Sequence, residues 1–90
     1  MRRTIAQQLQ AAKQALIKFG WIKNDFGNKE TGFCMLGALG HVRAGSKAEA
    51  TLQSVLPRQT NIAEYNDSEH RCRKHVFAAF DRAIIKSKNS

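Results

Sequence analysis

The sequence predicts an all-α domain, a small bundle of about four helices around a buried central helix. Three observations point there. Two segments repeat apolar residues at helical spacing, two capping-box patterns stand at helix starts, and a nearly unbroken apolar stretch occupies the middle of the chain. Ninety residues make a single domain, 1–90, with frayed ends expected at 1–3 and 86–90. With 42% hydrophobic and 24% charged residues, the composition is that of a folded protein rather than a disordered one.

The first helix starts at Thr4. Its hydroxyl can cap the backbone, and Gln7 three residues later completes a capping box. Ile5, Leu9, Ala12, Leu16 and Phe19 then recur at steps of three and four, which puts them on one face. Gly20 follows as a left-handed stop, with Trp21 folding back toward Leu16. The opposite face, Gln8, Gln10, Lys13, Gln14 and Lys18, is polar and carries only positive charge.

Residues 21–31 read as a loop with room for a short hairpin, because Asn24-Asp25-Phe26-Gly27-Asn28 is rich in turn formers. Trp21, Ile22 and Phe26 are too apolar to lie exposed together, so the loop is expected to pack on the core. Residues 32–44 are apolar on every side and predict the central helix, with a buried strand over Phe33–Leu36 as the alternative. Gly37 and Gly40 each weaken a helix by about 1 kcal/mol relative to alanine, so each predicts a close neighbour.

Gly45 ends that helix, and Ser46 with Glu49 forms the second capping-box pattern. Ala48, Leu52, Val55 and Leu56 give a buried side, which Pro57 closes. A helical turn fits Ile62–Tyr65. The last helix carries Val76, Phe77, Phe80, Ala83 and Ile84 on one face. The expected centre of the core is Trp21, Phe33, Leu36, Leu39, Leu52, Phe77 and Phe80.

Charge is the compositional outlier. Fifteen Lys and Arg face seven Asp and Glu, for a formal net charge of +8. Arg2, Arg3, Lys13, Lys18 and Lys23 precede the first acid. After Glu69 come Arg71, Arg73, Lys74, Arg82, Lys86 and Lys88 against Asp81 alone, while the middle is nearly balanced. This field favours an anionic partner, nucleic acid or an acidic protein surface. No apolar run reaches the roughly 18 residues of a membrane span, and no apolar signal segment follows the basic start. A cytoplasmic protein with no membrane partner is therefore expected. There, Cys34 and Cys72 are expected as free thiols, a single bridge between them being the alternative.

Gly20-Trp21, Cys34-Met35-Leu36-Gly37-Ala38-Leu39, Ile62-Ala63-Glu64-Tyr65-Asn66-Asp67, Arg71 and Phe80-Asp81-Arg82-Ala83-Ile84 occur in that order. Over residues 5–85 the chain resembles a family of short bacterial and phage proteins classed only as a domain of unknown function. The resemblance implies a shared fold and shared sites, and a setting in a bacterial host or phage-infected cell; it implies no activity. In the family pattern a Thr or Ser follows the arginine and caps the last helix, and acidic residues come next. Here those places hold Cys72, a poor cap, and then Arg73, Lys74 and His75, cations where the helix dipole disfavours them.

Four constellations carry chemistry. Arg71, Arg73, Lys74 and His75 form the densest basic patch. If the terminal helices are neighbours, Lys13 and Lys18 join it as one phosphate-contacting surface. Asn66 and Asp67 are expected to shape a loop by bonding nearby backbone N–H groups, with Asp67 holding Arg71. Cys34 near a helix start, with His41, His70 or His75 as base, is the ingredient list of a thiol nucleophile. Its neighbours Phe33, Met35 and Leu36 point instead to a buried thiol. Cys34, His70, Cys72 and His75 are zinc-type ligands, but their spacing matches no common structural site, so neither metal nor cofactor is expected.

The reading is a small basic binding or regulatory protein, of the kind a phage uses to modulate a host machine. Its partner-contacting residues are Lys13, Lys18, Arg71, Arg73, Lys74 and His75. The alternatives are a thiol-dependent enzyme centred on Cys34 and a structural subunit of a larger assembly.

Overall fold

The computed structural model describes residues 3–68 and 72–89. It is mainly helical, with five helices and one two-stranded hairpin among the described residues. Helix α1 (Ile5–Phe19) opens with the expected capping box. Thr4 Oγ1 accepts from Gln7 N at 3.0 Å, and Gln7 Oε1 accepts from Thr4 N at 2.8 Å. Leu9, Ala12, Ala15 and Leu16 form its buried stripe. Gly20 ends it by donating to the Leu16 carbonyl. Its φ of 100° and ψ of 163° correct the expected left-handed cap: φ is positive, but the backbone is extended, a conformation open essentially to glycine.

That extended exit sends the chain into a hairpin. Strand β1 (Gly27–Asn28) pairs antiparallel with β2 (Gly32–Phe33), with Gly27 opposite Phe33 and Asn28 opposite Gly32. Phe33 also bonds back to the chain leaving α1: its N–H donates to Gly20 O, and its carbonyl accepts from Ile22 N. The apolar stretch therefore divides into β2 and the short helix α2 (Met35–His41). Met35, Ala38 and Leu39 of α2 are buried, but Gly40 and His41 are exposed, so α2 is not covered all round as expected.

The two helix glycines behave oppositely. A Cβ on Gly37 would overlap the Phe26 carbonyl oxygen, so α2 and the hairpin approach closely only because that side chain is missing. Gly40 has no neighbour within 4 Å of such a Cβ, which corrects the expectation of a tight contact there. The same approach overturns the packing expected of Phe26. Its backbone is pinned against α2, with its carbonyl accepting from Cys34 N at 3.2 Å, while its side chain stands outward and the residue is 66% exposed.

Helix α3 (Ser46–Ser54) starts without the expected Ser46–Glu49 capping box. Gly45 takes the N-cap position, and a distant side chain, Gln8 of α1, accepts from its N–H at 2.7 Å. Helix α4 (Ile62–Asp67) is capped by Asn61, whose Oδ1 accepts from Glu64 N at 2.7 Å. Helix α5 (Arg73–Asn89) continues through residues 86–89, where a frayed end was expected.

The first and last helices pack against each other, which brings the two basic ends of the chain together, and Lys13 and Asp81 form an ion pair across them at 2.6 Å. The core gathers Leu9, Leu16, Phe33, Met35, Leu39, Leu52, Val76 and Phe80. Trp21, Leu36 and Phe77 lie at its margin rather than its centre, each partly exposed. One edge is closed by rings. His41 stacks on Phe33 at 4.8 Å, and Phe19 meets both edge-on at 5.5 and 5.9 Å.

Candidate functional site

The basic patch expected at the start of α5 lies only partly within the described residues. Arg71 and His70 fall outside them; Arg73, Lys74 and His75 form the exposed first turn of α5, which contains no acid. Cys72 stands at the position before the helix, and its carbonyl accepts from His75 N and Val76 N. Among the described residues, its side-chain contact is with His75 rather than with a helix N–H. His75 reaches back, its Nδ1 accepting from Cys72 N at 3.1 Å and lying 3.4 Å from Cys72 Sγ. This is the same reach-back that Gln7 makes to Thr4, performed by an imidazole, and it requires Nδ1 to carry no proton. Arg73 folds over the Phe77 ring, with its guanidinium carbon 5.4 Å from the centroid.

The α1 cations divide. Lys13 is joined to Asp81, so its charge is largely neutralised. Lys18 is exposed, with Nζ 5.2 Å from the Phe19 centroid.

Asn66 and Asp67 work inward and over long range. Asn66 is fully buried. Its Oδ1 accepts from the Trp21 indole N–H at 2.6 Å and from Met35 N at 2.9 Å; its Nδ2 donates to the Ile22 carbonyl at 3.0 Å and to Asp67 Oδ1 at 2.9 Å. Asp67 Oδ1 also accepts from Asn24 N at 2.8 Å. One amide thus ties α4 to the exit of α1 and to the start of α2. Among the described residues, the bonds of Asn66 reach beyond the nearby backbone expected of it and span 31 to 45 residues. The Asp67–Arg71 pair lies outside the described residues.

Cys34 is 6% exposed and caps α2, its Sγ accepting from Gly37 N at 3.2 Å. Beside it lies an open cleft of about 430 Å³ lined by Asn24, Asp25, Phe26, Leu36, Ala63 and Asp67. Cys34 and Cys72 are both free thiols. Among the described residues, no three His, Cys, Asp or Glu side chains gather as a metal site.

A second cationic feature was missed in the sequence. Arg3, Arg43 and Lys47 line an open cleft of about 680 Å³ together with Gln8 and Ser46, and no carboxylate lines it among the described residues. The three cations come from three segments: the approach to α1, the turn after α2 and the first turn of α3. Arg3 donates to the Val42 carbonyl, and Arg43 holds a positive φ of 56°. The start of α3 has no side-chain cap, and its first residues Ser46 and Lys47, with Gly45 before them, line the same cleft. Arg43 and Lys47 belong to the nearly balanced middle of the chain, so charge counting gave no signal for them.

Helices around a small hairpin, with cations displayed on loops and helix starts, define a small, mainly helical domain. No helix among the described residues is long and apolar enough to cross a membrane. The chain belongs to the family of unknown function DUF6197, which matches residues 1–86. No curated protein and no solved structure matches it.

Proposed function

We propose that this chain is a small basic binding protein that engages an anionic partner, nucleic acid or an acidic protein surface. It would work in the cytoplasm of a bacterial or phage-infected cell by modulating a host machine. The observation that carries the reading is the cleft of Arg3, Arg43 and Lys47. Three cations from separate segments line one concavity with no carboxylate among the described residues, beside a helix start that lacks a side-chain cap. Folding that brings like charges together costs energy unless an anion offsets it. The first turn of α5, with exposed Arg73 and Lys74 where the helix dipole opposes them, is a second feature of the same sign. Burial of Cys34 favours binding over thiol chemistry, since its sulfur is already a helix cap.

The test is a salt titration of binding to a fluorescent DNA duplex, to an RNA strand and to a polyglutamate chain. Two variants are compared with the parent: Arg3→Gln/Arg43→Gln/Lys47→Gln and Arg73→Gln/Lys74→Gln. Each is expected to weaken binding and to lower the salt slope by about one for every phosphate that is no longer neutralised. The α5 variant should keep its fold, or gain about 0.3–1 kcal/mol, as cations leave a helix N-terminus. The proposal fails if both variants bind all three polyanions as the parent does at equal salt. Equal binding of polyglutamate and nucleic acid would favour an acidic protein partner.

A further inference from the structure

A second surface has the opposite character. In a chain of net charge +8, the cleft beside Phe26 is lined by two carboxylates, Asp25 and Asp67, together with the apolar Leu36 and Ala63. Phe26 stands over it at 66% exposure, the most exposed large apolar residue described. It is not a loose side chain on a loose loop. Its carbonyl accepts from Cys34 N and abuts Gly37; Asn24 N is bound by Asp67; Gly27 pairs with Phe33. A ring held outward by a fixed backbone loses little entropy when a partner covers it. Aromatic residues presented in this way are the usual anchors of interfaces.

The chemistry that fits is an apolar side chain flanked by cations, and the chain displays that combination itself. On α5, Ile85 is 59% exposed. Arg82 and Lys86 are exposed too. Arg82 lies three residues before Ile85 and Lys86 four residues after Arg82, so all three share one side of the helix. One patch is an aromatic between carboxylates, the other an aliphatic between cations. Each leaves apolar surface in water, and each complements the other in both charge and polarity.

We propose that the Phe26 cleft docks the Arg82–Ile85–Lys86 face of α5 from a second copy of this chain. The interface joins two different patches, so each copy offers both a cleft and a helix face. Lys74 and Lys86 are separated by about 18 Å along α5, so the cationic first turn stays uncovered in the pair. Association then multiplies the surface proposed for the anionic partner.

The experiment is sedimentation velocity over a concentration series with the whole chain, the Phe26→Ser variant, the Ile85→Ser variant and an equimolar mixture of the two. Both substitutions are at exposed positions, and circular dichroism checks that the helices persist. The parent is expected to self-associate reversibly, and each variant alone to do so about 30-fold more weakly, the effect of losing one central anchor. The mixture should recover a dimer, because the Ile85→Ser copy still has a cleft and the Phe26→Ser copy still has a helix face. Lys86→Glu should weaken association as well. A parent that stays monomeric at every concentration overturns the proposal, and so does a mixture no more associated than its components. A monomeric parent that binds an unrelated lysine-bearing peptide at Phe26 gives the cleft to another partner and also overturns it.

Discussion

Asn66 and His75 are both polar side chains near helix ends, yet they serve opposite purposes. Asn66 is buried and meets four partners, three of them far away in the chain. His75 is exposed, and its side chain bonds to Cys72, three residues back. The first is a junction whose removal leaves several buried or partly buried groups short of their partners. The second is a local brace whose removal water can largely make good. The Asn66 junction is therefore where the fold is decided, and the first turn of α5 is where the surface can change at low cost. That contrast explains how a chain can place Cys72, Arg73, Lys74 and His75 where a hydroxyl cap and acids suit the helix better.

The two cysteines give the widest separation of inside from outside. Cys72 should react with a maleimide in the native protein within the mixing time of an ordinary assay. Cys34 should react on the order of a thousandfold more slowly, because it waits for an opening that costs several kcal/mol. Mass spectrometry of timed samples distinguishes the sites, and comparable rates would break the contrast. Asn66→Leu comes next. It leaves the Trp21 indole N–H and Met35 N without their acceptor and the Ile22 carbonyl without its donor, so a loss of about 3 kcal/mol or more is expected in thermal melts.

The glycines sharpen the same point with opposite signs. Gly37→Ala should cost about 1–3 kcal/mol, since the new methyl meets the Phe26 carbonyl. Gly40→Ala, on the same helix but with open space around it, should gain up to about 1 kcal/mol. Chemical denaturation of both variants in parallel is the check, and a shared sign would show that α2 is not seated as described. The smallest effect belongs to the brace. His75→Ala should cost about 0.5–1 kcal/mol, while His75→Gln, which can reach back as Gln7 does, should cost less.

What could be read from the sequence follows the range of the interaction concerned. The Thr4–Gln7 box and the Leu9–Leu16 stripe are local patterns, and both appear in the structure where the residues put them. The end helices are neighbours, as the gathering of charge at both ends of the chain suggested, but the Lys13–Asp81 pair that joins them is a tertiary contact. Ser46 and Glu49 have the same local pattern as Thr4 and Gln7, yet α3 starts differently. Gln8, 37 residues away, already holds Gly45, and no local rule contains that bond. Asn66 has the same history: its residue type suggested a turn, and its partners belong to the tertiary fold. Phe26 was expected inside because it is apolar. The decisive fact was the seat of its carbonyl against Gly37, which turns the side chain out. For the candidate site, Arg73, Lys74 and His75 were visible as a run of cations. Arg3, Arg43 and Lys47 were not, because three separated charges become a cluster only when the chain folds.

The chain has a single tryptophan, and its indole N–H is bound to the oxygen of Asn66 that also holds the first N–H of α2. The molecule thus contains its own optical reporter, placed at the joint of three helical segments. Emission from Trp21 registers the loosening of that joint as water replaces the amide oxygen. The outer turn of α5 has no indole and can be rebuilt without disturbing the signal, so fluorescence separates changes of surface from changes of fold.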